Sequence, residues 1–408
     1  MAEWRLESAT AESPKAVPWS LSIVLAAAMF VVGADLNIVA PLLIPIAVSF
    51  HRPVASTGFL VTVFALSYTV ASPFLGWLQD RGGFRRAMLF AGLAGFILTE
   101  VWSASAHRYS GLLVARALGG MTAAAISPTA YALIGDHVPY RWRARAMAVA
   151  SMGFSTATIA GVPLGLLLAQ WWGWRGVMWG LGGLAVLAGI ALVPVVGRLK
   201  DQAPAESRGE PPSRWGWDAK GLAVLGASFA AFAVVGLVYT YLSSELRLGF
   251  AWTPAAVARL LGAYGLLGLG GNWLIGWWGD RVGKAQAVQG AMLAEVASLL
   301  AMGLALWAGQ RLAFLVALMG FALFQAYIPN LKAMASQVER RARGRSMAWN
   351  NAAMYGGLMA GSALGARLWP AWGFAGLTWA AAAVAALGVA VLSRKAREGG
   401  RRVGPAAS

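Results

Sequence analysis

The chain repeats itself at a fixed offset of 200 residues, and a repeat of that length constrains the fold more than any single motif. Residues 76–86 read GWLQDRGGFRR and residues 276–284 read GWWGDRVGK. The shift maps Gly276, Trp277, Asp280, Arg281 and Gly283 onto Gly76, Trp77, Asp80, Arg81 and Gly83. It also maps Arg343, Arg345, Met347 and Ala348 onto Arg143, Arg145, Met147 and Ala148. Farther on it carries Gly361, Gly365, Trp372, Gly373 and Gly376 onto Gly161, Gly165, Trp172, Gly173 and Gly176. A self-match sustained over half a chain marks a duplicated structural unit. Duplicated positions are expected to be architectural, and positions where the repeat breaks are the better candidates for function.

The unit that is duplicated lives in a bilayer. The chain of 408 residues is 59% hydrophobic and 12% charged, with a mean hydropathy of +0.62 and 50 glycines. A hydrocarbon core of about 30 Å needs roughly 20 apolar residues per helical crossing. Glycine and other small residues let such helices pack closely. Apolar stretches predict helices near 19–48, 54–79, 87–106, 110–135, 145–171, 175–197, 217–244, 254–279, 285–308, 311–336, 343–369 and 371–393. The expected fold class is an all-α integral membrane protein with twelve transmembrane helices in two pseudo-symmetric six-helix bundles. No segment has the short in-out alternation of a membrane barrel.

The expected organisation is a cytoplasmic tail over 1–18, a first bundle over 19–197, a polar linker over 198–216, a second bundle over 217–393 and a basic tail over 394–408. The linker region is rich in Pro, Glu, Ser and Arg and cannot bury a core. With both ends on one side, that side collects 25 of the 33 basic residues. This asymmetry places both termini in the cytoplasm of an inner-membrane protein. The net charge of +17 then reads as topology and attraction to anionic lipid, not as a nucleic-acid surface. The first 18 residues show no cleavable signal peptide. Without cysteine there is no disulfide or thiolate chemistry, and the three histidines fall in loops or at helix ends. No cofactor and no metal is expected.

These residues resemble the major facilitator superfamily, and within it the twelve-span drug/proton antiporters, including sugar and metabolite exporters. The stretch GWLQDRGGFRR is similar to the family's loop between spans two and three. Arg116-Ala-Leu-Gly119-Gly120 resembles a motif of span four, and Gly153 to Gly165, ending GVPLG, a motif of span five. The resemblance implies a latch that holds the cytoplasmic ends of the two halves together. Its residues would be Gly76, Asp80, Arg81, Gly83 and Arg85, with Gly276, Asp280, Arg281 and Gly283 in the second copy. In span five, Gly153, Gly161, Pro163 and Gly165 would thin and bend the helix. The residue before Pro163 is Val162, where the fuller family form has glycine, and export and import both stay open.

Charge at membrane depth is costly and points to function. Asp35, Glu100, Arg116, Arg259 and Glu295 lie inside predicted spans, with Glu245 at a span end, and none is duplicated 200 residues away. Asp35 lies about 24 Å into span one at 1.5 Å per residue. Pro41 and Pro45 should bend the helix beyond it. A proton-coupling role for Asp35, tuned by Arg116, is the expectation. Arg116 has two candidate partners, Asp35 and Glu100, because Glu100 lies at similar depth in the adjacent helix. Glu245 and Arg259 bracket one loop and are expected to pair near its surface, while Glu295 has no evident partner. Asn37, Tyr239, Tyr264, Asn272, Gln325, Asn350 and Tyr355, with Tyr241, Tyr327, Asn330 and Asn351, should give a mostly apolar cavity a few hydrogen-bonding points. The expected function is alternating-access, proton-coupled export of a small organic solute or drug, as a monomer. Proton symport or uniport inward is the alternative, and a non-transporting receptor or scaffold a remote one. No phosphate loop, nucleophile elbow or metal cluster supports an enzyme.

Overall fold

The computed structural model describes residues 19–80, 84–199, 219–338 and 343–401. Arg81, Gly83, the tail 1–18 and nearly all of the expected linker lie outside these residues. The described chain is helical almost throughout. Its elements are α1 (Trp19–Ile38), α2 (Leu43–Ser49), α3 (Val54–Thr57), α4 (Phe59–Asp80), α5 (Arg85–Ser105), α6 (Tyr109–His137) and α7 (Tyr140–Thr156). They continue with α8 (Val162–Val196), α9 (Ala219–Leu248), α10 (Pro254–Val282), α11 (Lys284–Trp307), α12 (Arg311–Phe324), α13 (Ile328–Val338) and α14 (Arg343–Arg401). Among the described residues, nine segments are long and apolar enough to cross a membrane. Two of them, Arg145–Val196 and Ser346–Ser393, are of double length.

Both long segments turn at duplicated glycines. Gly173 has φ 65° and ψ 179°, and Gly373 has φ 63° and ψ −172°. That region of backbone space is essentially closed to residues with a Cβ. A steric constraint is added three residues on in both copies. A Cβ on Gly176 would overlap Cβ of Trp172, and one on Gly376 would overlap Cβ of Trp372. The repeated Trp-Gly-x-x-Gly is therefore a tight helical corner.

The prolines act where expected. A 3₁₀ turn over Ala40–Leu42, built around Pro41, separates α1 from α2. A π-helical turn over Ala157–Gly161 precedes Pro163 in α8. Proline has no N–H to donate and crowds the preceding turn, and a widened turn relieves both. One break was not foreseen from the sequence. The span expected over 311–336 is divided into α12 and α13 by a turn at residues 325–327. Pro329 has no N–H to bond the carbonyl of Gln325 four residues back and contributes to that break.

Helix contacts follow the glycines. A Cβ on Gly153 would strike the carbonyl of Ala26, and one on Gly361 the carbonyl of Ala233. So α7 sits on α1 in one half as α14 sits on α9 in the other. Between halves, α4 lies along α14 and α8 along α10. Tyr68 stacks on Tyr355 with ring centres 3.5 Å apart, and Thr62 and Ser362 share a hydrogen bond of 2.8 Å. The Cβ of a residue at Gly262 would come within 3.4 Å of Pro163, and at Gly265 within 3.1 Å of Ile159. Large apolar side chains such as Trp171, Trp172, Trp307 and Trp372 point outward, as they must where lipid is the solvent.

Candidate functional site

The geometry gives Arg116 both of its candidate partners. Its Nη1 bonds Oδ1 of Asp35, and the same nitrogen lies 3.8 Å from Oε1 of Glu100. Asp35, Glu100 and Arg116 are 0%, 1% and 2% exposed. Three helices converge to make the cluster: α1 contributes Asp35, α5 contributes Glu100 and α6 contributes Arg116. Its composition is unbalanced, with two acids and one base. Oδ2 of Asp35 and both carboxyl oxygens of Glu100 have no hydrogen-bond partner among the described residues.

The two glycines after Arg116 explain how the cluster is sealed. A Cβ at Gly120 would overlap the carbonyl of Phe64, and one at Gly119 would sit 3.7 Å from the Phe64 ring. Their absence lets α4 approach until the Phe64 ring faces the Arg116 guanidinium at 4.5 Å. A cation held over an aromatic face keeps attraction that bulk water would otherwise supply. On the far side, a Cβ at Gly182 of α8 would reach within 3.5 Å of Cβ of Glu100. One turn along α4 from Phe64 is Tyr68, the residue stacked on Tyr355 of the other half. A single helix thus touches both the charge cluster and the contact between halves.

The polar residues expected in the cavity separate into groups. Asn37 donates to Gly33 O at 2.7 Å and to Thr158 Oγ1 at 3.5 Å, fastening α1 internally and to the π-helical turn. Asn350 accepts from Ser228 Oγ at 2.7 Å, a bond between α14 and α9. Tyr355 is the stacking partner of Tyr68, and Asn272 is partly buried on α10. Tyr239, Tyr264 and Gln325 do meet. Tyr264 donates to Gln325 Oε1 at 2.8 Å, and its ring lies 5.7 Å from that of Tyr239.

Two pairings differ from expectation. Glu245 forms no ion pair with Arg259 among the described residues. Its Oε2 accepts from Trp369 Nε1 at 3.3 Å instead. Residues flanking a loop need not face each other, and Trp369 of α14 reaches the end of α9. Glu295 does have a partner, for Tyr327 donates to its Oε2 at 2.7 Å. Tyr327 lies at the unforeseen helix break, so an unbroken span hid the contact. Phe64 and Tyr68 were missed because an aromatic in an apolar span carries no signal separating core from site.

The duplicated loops behave unequally. Gly76 faces the other half, where a Cβ would come 3.0 Å from Cβ of Ala348. Arg85 pairs with Asp136 at the end of α6. Gly276 has open space around it, Asp280 is exposed, and Arg281 lies over the Trp277 ring at 3.8 Å. Gly283 caps α10 at φ 98°. In span five, Gly161 and Gly165 abut Ala34 and Ile38 of α1.

Two paired helical halves, the first holding a buried charge cluster, define a class of membrane protein. The sequence matches the Major Facilitator Superfamily over residues 25–323 and again over 222–407. The chain belongs to that family, and it is a secondary transporter of small solutes, not an enzyme. It is 27% identical over 377 residues to the MFS-type transporter YwfA of Bacillus subtilis, covering 91% of this chain and 90% of that one. It is 32% identical over 188 residues to a probable sugar efflux transporter of Mannheimia succiniciproducens, covering 46% of each. The fold superposes on a bacterial homolog of the human lysosomal transporter Spinster, in an inward-facing and unoccupied conformation. That match has a TM-score of 0.71 at 17% identity and covers 93% of this chain and 97% of that one.

Proposed function

We propose that the protein is a proton-coupled exporter of a small organic solute, with Asp35, Glu100 and Arg116 as its proton site. The observation that supports this is the cluster of two buried acids around one guanidinium. If both acids were ionised, one negative charge would stand uncompensated in the membrane, at a cost of several kcal/mol. A proton held by the pair of carboxyls removes that charge. Such a proton belongs to the cluster rather than to either residue alone. Deprotonation draws Arg116 against both acids, and protonation releases it toward Phe64 and α4. Because α4 also carries Tyr68, the change is delivered to the contact between the halves. Proton binding can shift an alternating-access equilibrium only through such a difference between states.

The crossings number twelve in this reading. The two double-length segments divide at Gly173 and Gly373, and Pro254–Val282 is long enough to span although less apolar. Charge asymmetry puts both termini and both repeated loops in the cytoplasm of the inner membrane. Gly76 against Ala348 supports a latch at that end, with Asp80 and Arg81 of the same loop. The bend before Pro163, packed against Gly262 and Gly265, supports a seal at the opposite end. Outward direction rests on the name of the sugar efflux relative and on the span-five motif. The transporter acts as a monomer.

Purified protein in liposomes tests the reading. An imposed proton gradient should drive uptake of a fluorescent lipophilic substrate panel into inverted vesicles, and Asp35→Asn should abolish the drive. Flux indifferent to the gradient and to Asp35→Asn would leave a uniporter. Flux along the proton gradient would make it a symporter.

A further inference from the structure

The second half holds its own buried acid, and nothing in the proton cluster uses it. Glu295 is 0% exposed, about 16 Å along α11 at 1.5 Å per residue. Its Oε2 accepts from Tyr327, whose ring is also fully buried. Its Oε1 has no partner among the described residues, and neither does Nε2 of Gln325. Gln325 lies beside Glu295, and its Oε1 accepts from Tyr264, which reaches the Tyr239 ring. One unpartnered acceptor and one unpartnered donor thus sit on neighbouring side chains at the turn between α12 and α13.

Among the described residues no cation pairs with this acid. The titratable groups facing it are Tyr327 from the turn and Tyr264 from α10. Along its other flank runs the last part of α14, antiparallel, with Trp379 against Gly303 and Gly388 against Met292. Between those contacts α14 reads Ala380–Leu387 without a polar side chain. The stretch Leu312–Phe324 of α12 is likewise apolar. Lys332 lies more than a helical turn beyond Tyr327 and forms no ion pair among the described residues.

We propose that Glu295 is a second proton-binding group, which reports through Tyr327 and Gln325 to the break between α12 and α13. A lone carboxylate in a dry interior costs several kcal/mol unless it is neutralised. The surroundings accommodate both forms. As the anion, Glu295 takes hydrogen bonds from Tyr327 and from the amide N–H of Gln325. As the acid, its O–H donates to the amide oxygen once Gln325 turns over, and the amide N–H passes to the Tyr264 oxygen. Amide oxygen and nitrogen exchange places at little steric cost. Each form therefore fixes a different orientation of Gln325, the residue that caps α12 and opens the turn before α13. Irregular backbone at this depth is tolerated only inside protein, and transporters place it at their sites.

Infrared difference spectra of the full chain in phosphatidylcholine nanodiscs, acidic minus alkaline, test this. Potentiometric proton uptake over the same range runs in parallel. The expected result is a carboxyl carbonyl band lost in Glu295→Gln, together with one proton of uptake, while the band altered by Asp35→Asn or Glu100→Gln persists. Tyr327→Phe should shift the Glu295 band without removing it, and serves if Glu295→Gln does not fold. Spectra and uptake unchanged in Glu295→Gln would overturn the proposal and leave Glu295 a structural neutral acid. A Glu295 band that follows sodium chloride at constant pH, and not acid, would also overturn it, in favour of an alkali cation. Absence of the Asp35-dependent band alone would count against the first proton cluster and not against this one.

Discussion

In the first half, the buried acids Asp35 and Glu100 share a guanidinium; in the second, Glu295 has, among the described residues, hydroxyl and amide company. The halves arose from one repeated unit, yet these positions share nothing across the 200-residue offset. The frame kept its glycines because close helix contacts and sharp corners tolerate no side chain. An ion cluster responds strongly and at short range, since removing its one guanidinium leaves uncompensated charge in a medium of low dielectric constant. A neutral hydrogen-bond chain responds by changing partners, with smaller energies.

The contrast can be broken most forcefully at Arg116. Arg116→Met should destabilise the protein by about 3–5 kcal/mol at neutral pH, the cost of stranding buried charge. The loss should shrink as pH falls, because protonating Asp35 and Glu100 removes the charge that has no cation. Thermal unfolding in detergent across pH reads both effects, and a pH-independent loss would show that Arg116 acts by packing alone.

Next come the shared corners. Gly173→Ala and Gly373→Ala should each cost about 1–3 kcal/mol, because both force a Cβ into the same disallowed backbone region. Equal losses in thermal unfolding would confirm that the frame is symmetric where the charges are not. The neutral cluster should respond less than the ionic one. Tyr327→Phe leaves one carboxyl oxygen of Glu295 without its donor and should cost about 1–3 kcal/mol. A loss matching that of Arg116→Met would erase the proposed contrast. The smallest effect falls on the repeated loops. Gly276→Ala has open space and should stay within about 0.5 kcal/mol of the parent. Gly76→Ala presses a methyl on Ala348 across the halves and should change transport rate more than stability, as stopped-flow flux would show.

Much of this was legible from residues in order. The apolar stretches fall on helical segments of the described residues, two of them of double length, because a hydrocarbon slab imposes length and polarity on any crossing. Pro41 and Pro163 announced local distortions because a missing N–H disrupts helix wherever it occurs. Asp35, Glu100 and Arg116 stood out because charge inside an apolar span needs a reason. The break at 325–327 escaped because a turn of glutamine, alanine and tyrosine looks no different from helix, and its one local signal, Pro329, lies two residues beyond it. The expected pairing of Glu245 with Arg259 failed because nearness in sequence across a loop says little about which faces meet.

By itself the sequence determined the membrane class, the duplicated frame and the short roll of residues whose charge is out of place. Those follow from solvent, helix length and the cost of burying charge, all local in the chain. Tertiary structure alone decided that Arg116 meets two acids at once, that α4 sets Phe64 on the cluster and Tyr68 on the other half, and that Glu295 meets Tyr327. These depend on which faces of separate helices meet at one depth, and side-chain direction in space is not written in spacing along one helix.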